Sequence, residues 1–118
     1  ADFGATCDGF VRSMFGDDAP KEMVSEVTLD MCSGPADIGT ALIRDYAAYD
    51  LAAALRAAGV PVRVINADKW PTNVKANREY ADFDAAIIEG HGHFLMQEAP
   101  AELNAALTET VKSIGAGR

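Results

Sequence analysis

The chain has 118 residues, 49% of them hydrophobic, and its 18 acidic against 10 basic side chains leave a formal net charge of -8. That balance argues against nucleic acid and anionic membrane surfaces as partners, because phosphate binding relies on clustered Lys and Arg. No apolar run approaches the ~20 residues of a membrane span, so a single soluble domain is expected.

Phe3, Cys7, Phe10, Val11 and Met14 recur at helical spacing, and Gly16, Asp17 and Asp18 end that stretch. A second helix is predicted from near Pro20, with Met23, Val24, Val27 and Met31 on one stripe and Ser33-Gly34-Pro35 as its breaker. A third carries Ile38, Leu42, Tyr46 and Tyr49 on one face. Asp50 is placed to cap a short alanine-rich helix, Leu51 to Ala58, which Gly59 stops as a left-handed residue.

From Val60 the period changes. Val60, Val62 and Val64 alternate with Pro61 and Arg63 ahead of Ile65, which predicts a strand with its proline near the start. Trp70-Pro71-Thr72-Asn73 reads as a turn, with Thr72 capping a helix through Tyr80. Phe83 to Glu89 reads as a second strand, nearly continuous in apolar character from Ala85 to Ile88. A last helix is expected from about Glu98 to Ile114, with Leu103, Leu107 and Val111 four residues apart, and Gly115 to Arg118 is expected to fray. The fold class is therefore α/β: a helical segment over 1–49, then a βαβα unit with parallel strands over 50–118. A two-stranded sheet leaves both edges open and gives its helices little cover. The chain is thus expected to associate, either with copies of itself as a homo-oligomer or with a complementary segment.

The run Ile87-Ile88-Glu89-Gly90-His91-Gly92-His93-Phe94-Leu95-Met96-Gln97-Glu98-Ala99-Pro100 carries the chemistry. It describes a buried strand, a glycine loop that displays histidine, and a helix opened by an acid and a proline. Imidazole is the side chain whose ordinary titration falls near neutral pH, so a histidine there is suited to proton transfer. Glu98 and Pro100 suit a helix start without any catalytic role.

This segment resembles the catalytic-histidine region of the α/β-hydrolase family, where Gly-His-Phe, a Met or Leu, and Glu-x-Pro follow the last strand. Val60-Pro61-Val62-Arg63-Val64-Ile65-Asn66 is similar to the family's penultimate strand, and the match covers roughly 50 to 112. The resemblance implies a partial α/β-hydrolase fold, with 1–49 cap-like, and makes His93 the general base. It also implies an acid a few residues past the Pro-Val strand. Direct register puts Trp70 there, and Asp68 is the nearest carboxylate. The family's Gly-x-Ser-x-Gly nucleophile turn does not occur in this sequence. In family order the chain corresponds to a carboxyl-terminal half, a reading that its start at Ala1 without a signal-like leader also suggests. The implied reaction is acyl transfer on an ester or related small-molecule substrate, with His93 accepting a proton from a serine borne elsewhere. Relatives with an aspartate nucleophile acting on epoxides or haloalkanes fit equally. The alternative is a non-catalytic, self-associating fragment.

Other residues admit other readings. Asp68 also suits a solvated turn after a strand. His91 reads as a loop residue. With His93 it makes only two metal donors, without a third ligand at recognisable spacing, so no metal or cofactor is expected. Cys7 and Cys32 are too few and too isolated for a disulfide framework, which predicts reduced thiols and a cytoplasmic protein. Cys32, among apolar neighbours, reads as a small buried hydrophobe, and a nucleophilic role would need its helix to lie over the histidine loop.

Overall fold

A computed structural model describes residues 2–116, so Ala1 and the Gly117 and Arg118 part of the terminus expected to fray lie outside the described residues. The elements run α1 (Phe3–Ser13), α2 (Lys21–Cys32), α3 (Ala36–Ala48), α4 (Leu51–Ala57), β1 (Val62–Ala67), α5 (Val74–Asn77), β2 (Phe83–Ile88), α6 (Leu95–Glu98) and α7 (Pro100–Ala116). The fold is mixed α/β with one sheet in which β1 and β2 pair in parallel, Val62 opposite Phe83 and Ala67 opposite Ile88.

Helix starts follow local chemistry. Asp2 caps α1 by accepting from the Gly4 and Ala5 N–H groups, and Asp50 caps α4 by accepting from Ala53 N–H at 2.9 Å. α2 and α3 instead begin behind Pro20 and Pro35, whose fixed φ angles of -58° and -59° lead into the helix. Gly59, at φ +63°, ends the α4 segment as its sequence position suggested.

Several boundaries differ from the sequence expectation. β1 begins at Val62, because Pro61 has no N–H and the first rung is Val62 N–H to Asp82 O at 2.7 Å; Val60 is left exposed. α5 is a single turn capped by Asn73, whose Oδ1 accepts from Ala76 N–H, while Thr72 Oγ accepts from Asn66 Nδ2 at 2.7 Å. The last helix is broken at Ala99, at φ -142°, because a residue before proline is driven out of the helical region; Pro100 then opens α7. At its other end α7 continues through Gly115 to Ala116 rather than fraying.

Two small cores result. Ala67, Ile88, Leu95 and Ala99 pack with Ile65, Leu103 and Ala106 between the sheet and the carboxyl-terminal helices. Val11, Phe15 and Val27 pack with Cys7, Met23, Val24, Cys32 and Phe94 between α1 and α2. The chain is drawn out to 49 × 33 × 20 Å, with a radius of gyration of 16.5 Å against the ~13.5 Å of a compact domain of this length. α3 shows why: it has no buried residue, and the face carrying Ile38, Leu42 and Tyr46 is open to solvent.

Cys7 and Cys32 form a disulfide, which corrects the expectation of separate reduced thiols. Packing of α1 on α2 brings their Cα atoms to 5.8 Å across 25 residues of sequence, a proximity that no local pattern encodes. Cys32 has no thiol to act as a nucleophile in this state. A loop of this size implies about 3.5 kcal/mol of stabilisation on the chain-entropy account. Reductant, or Cys32→Ser, is therefore expected to lower the denaturation midpoint of the α1–α2 hairpin, measured by circular dichroism in urea with and without reducing agent. An unchanged midpoint would show that the apolar cluster suffices alone.

Candidate active-site cleft

Both strands deliver their carboxyl ends to the same side, and parallel α/β sheets gather ligands there. Beyond β1 the chain enters Asp68-Lys69-Trp70, and beyond β2 it enters the glycine–histidine loop. Asp68 N–H donates to Ile88 O at 3.3 Å, and Asp68 Oδ1 accepts from Gly90 N–H at 2.9 Å, so the two loops are stitched together where the ladder ends. Gly90 turns the loop at φ +80°, a conformation a side chain would strain.

The next residues dock on the turn after α1. His93 N–H donates to Met14 O at 2.7 Å, and the Phe94 ring lies 4.6 Å from that of Phe15. Gly92 is buried so closely against this turn that a Cβ there would collide with Met14 O, Phe15 C and Gly16 N. Glu98 completes the junction. Its Oε2 accepts from Gly92 N–H and from Gly16 N–H, both at 2.9 Å, and its Oε1 is buried with no hydrogen-bond partner among the described residues. Sequence reasoning gave Glu98 only a helix-dipole role. The bond to Gly16 spans 82 positions, and no local pattern signals such a partner.

This docking turns the exposed His93 ring into a cleft of about 410 Å³, lined by Ile65, Asn66, Lys69, Trp70, Leu95 and Met96 among others. The indole of Trp70 lies 6.0 Å from the imidazole, and Phe94 meets it edge-on at 5.3 Å. Lys69, on the rim, pairs with Asp17 at 3.1 Å. The cleft thus combines an apolar floor, one imidazole, and polar groups at its edge, as small-molecule sites do.

Of the residues singled out by sequence, His93 and Asp68 occupy adjacent loops, but no hydrogen bond joins them among the described residues; the observed partner of Asp68 Oδ1 is Gly90. His91 faces the other way, its Nε2 standing 3.5 Å from Glu102 Oε1 on α7, so the two histidines serve different neighbours. Among the described residues no three His, Cys, Asp or Glu side chains converge as metal donors. Away from the cleft, the Ala85 N–H holds the Asp84 carboxyl below its ordinary range, helped by Arg78, and the bond to Asp8 holds Arg12 above its own. No helix among the described residues is long and apolar enough to cross a membrane.

No protein-family model, curated protein or solved structure matches this chain.

The fit of Gly92 under the α1 turn yields a direct test. Gly92→Ala is expected to cost about 1 to 3 kcal/mol, as overpacking against immobile backbone does, and to raise amide exchange at His93. Thermal unfolding and hydrogen exchange measure both, and an unperturbed variant would contradict the contact.

Proposed function

We propose that the chain supplies the general base of an α/β-hydrolase-type acyl transfer, with His93 taking a proton from a nucleophile that this sequence does not carry. One observation carries the reading: His93 stands at the carboxyl ends of two parallel strands, with its imidazole in a largely apolar cleft beside Trp70. An ester with an apolar acyl or alcohol portion suits that floor. His93 would accept the nucleophile's proton and return it to the leaving group, and a carboxylate would stabilise the imidazolium formed between. Asp68 is the candidate from this chain; to serve, its carboxylate must turn from Gly90 N–H or bridge both groups. The Gly-x-Ser-x-Gly turn, absent here, would come from a further segment.

The Cys7–Cys32 disulfide favours an oxidising compartment over the cytoplasm. A second reading, self-association of a non-catalytic unit, has its own support. Ile38, Leu42, Ile43, Tyr46 and Tyr49 on and just after α3 and Leu107 and Val111 on α7 are exposed, and burying each aliphatic side chain contributes about 1.5 to 3 kcal/mol.

The two readings separate experimentally. The purified chain is expected to hydrolyse a short-chain nitrophenyl ester no faster than buffer. Assembled with a polypeptide bearing the serine turn it should turn over, and His93→Ala should lower that rate about 10² to 10⁴-fold. Asp68→Asn should lower it comparably if Asp68 orients the imidazole, and leave it unchanged if the acid comes from the added segment. Turnover indifferent to His93→Ala overturns the assignment. Light scattering at micromolar concentration should give twice the chain mass if the exposed faces pair between copies; a monomer that unfolds cooperatively would remove that reading.

A further inference from the structure

We propose that Glu98 is the positioning residue of the cleft: by gathering the Gly92 and Gly16 amides on one carboxylate oxygen, it fixes the histidine loop so that His93 stands beside Trp70. The inference rests on reading His93 as the proton-transfer group. Among the described residues no side chain hydrogen-bonds the His93 ring, so its placement comes from the backbone on either side and from ring contacts with Trp70 and Phe94. On the amino side, Gly92 N–H donates to Glu98 Oε2 at 2.9 Å, while His93 N–H donates to Met14 O at 2.7 Å. The second bond positions the loop only if the α1 turn is itself held in place, and Gly16 N–H, donating to the same Oε2 at 2.9 Å, holds it. One oxygen thus sets the spacing between two loops from opposite ends of the chain. Lys69 in the cleft lining is already engaged with Asp17, and the neighbouring Asp68 with Gly90.

Trp70 is the single tryptophan of the chain, so its emission reports on this geometry without any substrate. A protonated imidazole 6.0 Å from an indole quenches it. In the intact chain, Trp70 emission should fall on acidification. His93→Gln should abolish the fall, and His91→Gln should leave it in place. Glu98→Ala should reduce its amplitude at least twofold, whereas Glu98→Gln, whose amide oxygen can accept both N–H groups, should retain it. Gly16→Ala puts a Cβ 2.8 Å from Glu98 Oε2 and should reproduce Glu98→Ala with the carboxylate still present, which keeps the test open if Glu98→Ala does not fold. Full amplitude in folded Glu98→Ala or Gly16→Ala, loss of amplitude in Glu98→Gln, or no fall in the unaltered chain overturns the proposal. Absence of turnover in the assembled hydrolase, with this fluorescence pattern intact, would count against the catalytic reading and not against the clamp.

Discussion

The backbone-to-backbone contact between the turn after α1 and the loop after β2 organises this protein. Gly92 is buried where a Cβ would strike Met14, Phe15 and Gly16, so the two segments meet without side chains between them. Backbone amides taken out of water at such a contact need partners. The amides of Gly16, Gly92 and His93 find one carboxylate oxygen and one carbonyl. Phe15 and Phe94 flank the contact and connect the α1–α2 cluster to the segment leading into α6. Through this junction a helical front and a strand-containing back, separate in sequence, behave as one frame for the cleft.

That frame is thinly supported elsewhere. The α1–α2 cluster has three buried residues and a disulfide, and the sheet core has four, two of them alanine. With so little apolar volume on either side, loss of any one tie transmits to the others. The ion pairs add little, since Arg12–Asp8 and Arg78–Asp84 are solvent-exposed and screened. The stable part of the molecule is therefore the junction and its two flanking clusters, while α3, with no buried residue, contributes surface rather than support.

Periodicity made much of this legible. The alternation around Val62 and Val64, the apolar run Ala85 to Ile88, and the stripe Met23, Val24 and Val27 are local patterns, and each produced its element. The break at Ala99 was available from Pro100 as well, since the residue before proline leaves the helical region, but the apolar spacing downstream suggested continuity. Asn73 rather than Thr72 caps α5 because Thr72 is engaged by Asn66, a contact between side chains six positions apart that capping preferences do not weigh. The disulfide and the Glu98 clamp were illegible for a common reason: both depend on which helix turns face one another after folding, across 25 and 82 positions. The histidine loop was readable as a glycine-framed turn after a buried strand. The site it faces was not, because Trp70 and Lys69 reach the cleft only through the parallel pairing that places both strand ends together.

The position of Asp68 bears on how a histidine here could be tuned. A carboxylate bonded to the imidazole would favour its protonated form, whereas Asp68 instead accepts from the Gly90 N–H, which shapes the loop without touching the ring. The imidazole is thus placed by the backbone of its loop, with the Trp70 and Phe94 rings as its aromatic neighbours. Such an arrangement places the ring through its neighbours in the chain and in the cleft. The junction behind the loop, with the Gly92 amide on Glu98 and the His93 amide on Met14, is what directs the ring toward the cleft.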